Sequence, residues 1–181
     1  MKRRQREAIV LALADKLKEQ GSWCGETHLQ KAVYFLEELA NVPLGLGFIL
    51  YKHGPFSFEL RDEITAMRAD GLIQMRFQPY PYGPSLLTTD NGRRLQKRWP
   101  KTLSRHADSI AFVAEHFGNL GVAGLERLAT ALYITKKHPG KSVEFRARRL
   151  HELKPHIPID EAENAVLEID RIIQEYQEVH Q

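Results

Sequence analysis

The side chains with the strongest claim to covalent chemistry are one cysteine and eight histidines. Cys24 stands one helical turn before His28, and His53 lies further along. A thiol needs such an imidazole to become a nucleophile, but no third residue that would orient the base and no nucleophile motif accompanies them. The histidines are scattered, without the HExxH or i,i+4 pairing that puts two imidazoles on one helix face for a metal. No glycine pattern of the Walker or Rossmann type is present. These residues predict a protein that is not an enzyme and holds no metal or cofactor.

Cations and rings offer binding chemistry instead. Arg61 and Arg68 occupy a helical segment that would enter a DNA groove in a nucleic-acid reader, yet Glu59, Asp62, Glu63 and Asp70 share it and leave a net charge of −2 facing a phosphate polyanion. Some of these acids can point inward or pair with nearby cations, which would lower the charge that faces outward. A second basic group, Arg93, Arg94, Lys97 and Arg98, continues into Lys101 and Arg105 and suits phosphate contact, as do Lys2, Arg3, Arg4 and Arg6. Tyr80 and Tyr82 sit among prolines at 78–84, two rings on a stiff loop with little entropy to lose on binding a protein.

The elements that must position these groups follow from periodicity and breakers. Residues 4–20 predict a helix ending at Gly21, and a second starts near Thr27 and closes at Asn41-Val42-Pro43. The run 48–51 is β-prone, adding a strand to a neighbouring sheet or running extended, and Lys52-His53-Gly54-Pro55 turns into the next helix. Ser57 caps that helix and Asp70-Gly71 stops it. Strands over 72–77 and 85–88 flank the proline-rich loop, and Thr89 or Asp90 caps a helix reaching Trp99. Helices over 103–117, 123–138, 143–153 and 160–179 complete the chain. The expected fold is α+β and mostly helical: a winged-helix-like core with a small antiparallel β-wing in 1–99, and an all-helical tail in 100–181 packed on it, the two halves making one compact unit.

Composition bounds the setting. Hydrophobic residues at 43% and charged residues at 27% suit a soluble globular chain, and no apolar run approaches the roughly 20 residues that span a bilayer. The basic start reads as a structured helix, not an export signal. One cysteine forbids an intrachain disulfide, so the cytoplasm is the default compartment. The formal charge of +3 permits nucleic acid or acidic proteins as partners and demands neither. Residues 136–154 carry a net +5 and residues 160–181 a net −6. These runs either stay solvated or pair with each other, within one chain or across a homodimer.

Three short stretches resemble a known family. Leu29-Gln30-Lys31-Ala32-Val33-Tyr34-Phe35-Leu36, then Tyr51-Lys52-His53-Gly54-Pro55-Phe56-Ser57, then Asp70-Gly71-Leu72-Ile73 are similar in order and spacing to the YwgA-like and SocA-like proteins of the Panacea (DUF4065) group, in which an LQK-type helix and a YGP-type turn recur. Residues 128–133 and Leu153-Lys154-Pro155 resemble the helical tail of its YwgA-like branch. Histidine replaces the tyrosine of that turn here. The resemblance implies a winged-helix-like fold and, by analogy with better understood relatives, neutralisation of a toxin or presentation of a bound protein to a protease.

The functional expectation is therefore a protein-interaction module, antitoxin-like or proteolytic-adaptor-like. Its contacts are expected at His53, Gly54, Pro55, Arg61, Arg68, Tyr80 and Tyr82. The alternative is a winged-helix regulator that holds duplex DNA through Arg93, Arg94, Lys97 and Arg98.

Overall fold

The computed structural model describes residues 1–77, 79 and 83–179. In chain order the elements are α1 (Arg3–Glu19), α2 (Glu26–Glu38), β1 (Ile49–Tyr51), β2 (Gly54–Phe56), α3 (Phe58–Ala69), β3 (Ile73–Arg76), β4 (Ser85–Thr88), α4 (Asp90–Arg98), α5 (Pro100–Arg105), α6 (Ala107–Phe117), α7 (Val122–Lys137), α8 (Val143–Leu153) and α9 (Ile159–Val179). The protein is a mostly helical α+β chain with two small antiparallel two-stranded sheets. Among the described residues no helix is long and apolar enough to cross a membrane.

The chain forms two compact units. One is Met1–Phe48 with Ser57–Leu120, and the other is Ile49–Phe56 with Gly121–Gln181. Helices α5 and α6 belong to the first unit, where both pack on α1 and α6 also meets α2.

In the first unit α2 is buried nearly all round, from His28 to Leu36, which is why its apolar positions cover more than one face. Phe35 stacks on Phe117 of α6 with ring centroids 3.7 Å apart. Around this core runs the order helix, strand, strand, helix. Ser57 Oγ accepts from Leu60 N to cap α3, and Gly71 at φ +65° ends it in the left-handed region that glycine tolerates. Strand β3 pairs with β4 from Ile73↔Thr88 to Arg76↔Ser85, and Thr89 caps α4 by accepting from Gly92 N. The helix expected over 103–117 is broken at His106, whose φ of −112° lies between α5 and α6.

The second unit holds the largest departure from expectation. Ile49–Tyr51 neither joins the β3–β4 sheet nor runs extended; it pairs with Gly54–Phe56 in a hairpin of its own, Tyr51↔Gly54 closing the ladder. Gly54 and Pro55 are therefore strand residues, and Lys52 and His53 form the tip. Gly54 takes φ +85°, which allows so tight a reversal. The tail is thus helical in sequence, but its unit also contains this hairpin, with β2 against α7. Helix α9 buries Ala162, Ala165, Val166, Ile169 and Ile172 at helical spacing. The basic and acidic runs meet within the chain where Arg146 of α8 makes a two-point pair with Asp170 of α9 at 2.6 and 2.7 Å.

Candidate functional site

The acids of α3 are largely matched inside the first unit. Glu63, nearly buried, accepts from Arg6 Nε at 2.7 Å and Arg6 Nη2 at 3.2 Å, and Asp70 lies 3.1 Å from Arg4 Nη2. Glu59 accepts from the Gly47 N–H. Of the charges left on the outer side, Arg61 bonds Asp62 at 3.1 Å and stands 5.0 Å over the Phe58 ring, while Arg68 is exposed with no ion pair among the described residues. The acids that gave α3 its net −2 thus largely face α1 and the loop at Gly47. Its remaining surface is close to balanced, so charge alone does not repel phosphate there. Conversely, Arg3, Arg4 and Arg6 are engaged with Glu7, Glu63 and Asp70.

The wing carries an apolar row that leaves the core. Ile73, Met75 and Phe77 alternate along one side of β3 and its continuation; the first is buried, the second half-buried and Phe77 is 78% exposed. Across the loop, Trp23 Nε1 donates to Gly83 O at 2.8 Å, tying a second partly exposed ring to the far end of the wing. Tyr80 and Tyr82 lie outside the described residues. Strand alternation gave the signal for Phe77, but only the paired length of β3, which ends at Arg76, shows that this ring has passed the edge of the core.

The basic group after the wing splits by partner. Arg93 donates to Asp90 and to Thr88 O, and Arg94 donates to Asn91 Oδ1. Lys97, Arg98, Lys101 and Arg105 have no ion pair among the described residues and are exposed. Two adjoining clefts of about 470 and 530 Å³ flank half-buried Trp99, and Arg98 lines both.

His53, Gly54 and Pro55 belong to the second unit, whereas Arg61, Arg68 and the wing belong to the first. Behind the hairpin tip is a polar cluster with no local sequence signal. Lys154, 5% exposed, donates to Tyr51 O at 2.9 Å and to Lys52 O, and its ammonium lies 3.2 Å from Oε1 of Glu126, itself 7% exposed. The alignment of that ion pair falls short of a hydrogen bond, leaving Oε1 without one among the described residues. His53 Nδ1 is 3.9 Å from Glu126 Oε2, and His156 Nε2 is 3.6 Å from Oε1; both imidazoles are exposed.

Cys24 is not poised for nucleophilic work. Burial pushes its thiol up to about 12, so the thiolate is scarce at neutral pH. His28 is engaged elsewhere: its ring nitrogens lie 3.0 Å from Ser22 Oγ and 3.0 Å from Phe117 O. No group of three or more His, Cys, Asp or Glu side chains among the described residues is placed to hold a metal.

Comparison with protein-family models and with curated proteins gives no match. Within the first unit the fully buried Gln30 amide bonds both the N–H and the carbonyl of Ser57.

Proposed function

We propose that this chain is a non-enzymatic, cytoplasmic protein-interaction module of the Panacea type, antitoxin-like or proteolytic-adaptor-like, built on a winged-helix-like core. The α3–β3–β4–α4 order and the Gln30–Ser57 junction support the core reading. The observation that carries the functional reading is Phe77. Leaving a large ring 78% exposed at the end of an otherwise core-facing row forgoes the burial that makes aromatics useful in folding, and it fits a ring that is buried by a partner. Arg61 over partly exposed Phe58 adds a second aromatic–cation element of the kind enriched in protein interfaces.

The test is affinity capture from the native host with wild type, Phe77→Ser and Arg61→Glu, followed by co-expression of whatever protein is retained. A partner held by wild type and lost by Phe77→Ser at unchanged melting temperature supports the reading. Relief of that partner's toxicity marks an antitoxin, and its accelerated degradation marks an adaptor. Retention of the same proteins by all three chains sinks it.

A second reading, duplex DNA held by the basic residues after the wing, draws on the exposed Lys97 and Arg98 and on the internal pairing of Glu63 and Asp70. Duplex binding near physiological salt that weakens steeply as salt rises supports it, and absence of binding at low salt removes it.

A further inference from the structure

The two clefts beside Trp99 share more than a wall. Arg94 and Arg98 lie one turn apart on α4, and Lys101 and Arg105 lie one turn apart on α5, so four cations recur at spacings of four, three and four residues. Within each helix the two members stand about 5–6 Å apart between Cβ atoms. Trp99 sits where the row bends: its ψ of 47° ends α4, Pro100 opens α5, and the indole lines both clefts. Among the described residues the only carboxylate lining either cleft, Asp70, is already engaged by Arg4. None of the four cations has a carboxylate partner among the described residues.

From this arrangement we infer that the α4–α5 bend is a binding groove for single-stranded nucleic acid. Arg94, Arg98, Lys101 and Arg105 take successive phosphates, and a base lies against Trp99. Three of the four cations are guanidiniums, which match phosphate oxygens two at a time. A single strand brings both an anion at each repeat and a free aromatic face, and stacking on an indole is the sequence-tolerant half of such binding. A duplex keeps its bases stacked and would meet only the rim of clefts that are concave on either side of the ring. An acidic peptide would meet the cations but has no planar group for Trp99.

The test is fluorescence anisotropy of the full chain with a labelled oligothymidylate, a duplex of equal length and an acidic glutamate peptide, each over a salt series. The inference expects the oligothymidylate to bind tightest, to quench tryptophan emission, and to show a log K against log salt slope of about −3, as four phosphate contacts to a single strand require. Arg98→Ala with Lys101→Ala flattens that slope by about 1.4. Trp99→Leu leaves the slope in place while lowering affinity about tenfold, the loss expected when one stacked base is released. Because Trp99 is half-buried, Arg98→Ala/Lys101→Ala is the decisive variant: both side chains are exposed and their loss leaves the fold intact. Tighter binding of the duplex or of the peptide, or a slope unmoved by the double variant, overturns the inference.

Discussion

Gln30 and Ser57 hold each other through both ends of one amide: Gln30 Nε2 donates to Ser57 O at 2.9 Å, and the Ser57 N–H donates to Gln30 Oε1 at 3.0 Å. Both residues are fully buried. The Ser57 carbonyl also accepts from Arg61 N, whereas among the described residues its N–H has only Gln30. Gln30→Leu keeps the approximate volume and strands that donor, so it is expected to lower stability by about 1–3 kcal/mol. A urea titration should show an earlier midpoint at unchanged slope. An unmoved midpoint would mean that water or a shifted backbone replaces the clamp.

How much of this was legible beforehand depended on whether the cause was local. The Ser57 cap, the Gly71 stop, the β3 and β4 spans and the Thr89 cap all follow from residues within a few positions of each other. The 49–56 hairpin was not legible, because Gly54-Pro55 reads as a breaker unless the strand before it is known to fold back on it. The charge of α3 is legible as a count but not as a direction: no spacing rule reveals that Glu63 turns toward Arg6, fifty-seven residues earlier. The Glu126–Lys154 pair was silent for the same reason, since its partners come from α7, the segment after α8 and the hairpin. Of the candidate site, the exposed cations were legible and the clefts that organise them around Trp99 were not.

Lys154 ties the hairpin tip to its unit through two backbone carbonyls. Lys154→Met removes the donor to Tyr51 O and Lys52 O and leaves Glu126 buried without its ammonium. Breaking a buried pair from one side costs about 3–5 kcal/mol. Adding Glu126→Gln removes the stranded charge and should recover a substantial part of that loss. Hydrogen exchange would locate the effect: the β1 and β2 amides should lose protection in the single variant well beyond those of α1 and α2. Equal losses in both places would contradict a local tie.

Gly92 separates helix propensity from packing. In an exposed helix interior Gly→Ala stabilises by about 1 kcal/mol. Here a Cβ would meet Leu72 O at 2.4 Å and Thr88 Cγ2 at 2.8 Å, and the first of these is backbone that cannot rotate away. Gly92→Ala should therefore destabilise, by about 1–3 kcal/mol. A thermal melt decides the sign directly, and a rise in Tm would show that α4 can lift off β3 and β4 at little cost.

His28 gives the first unit a pH dependence of defined sign. Its Nε2–H donates to Phe117 O, its Nδ1 accepts from Ser22 Oγ, and Ser22 Oγ accepts in turn from Cys24 N, so the neutral ring satisfies every partner. Burial lowers its pKa below the ordinary histidine value, the bond to Phe117 opposing the shift only in part. As pH falls past about 6.5, the unfolded chain takes up a proton that the folded ring resists. The stabilising contribution of neutral His28 is thus complete above that pH and is lost below it, at up to about 1.4 kcal/mol per pH unit until the folded ring titrates. His106, also lowered by burial and by Arg105, acts in the same direction, so the comparison needs a reference that keeps it. His28→Gln is that reference. Urea unfolding at pH 7.5 and 5.5 should show wild type losing more stability between the two than the variant loses, and equal losses would place the titration elsewhere.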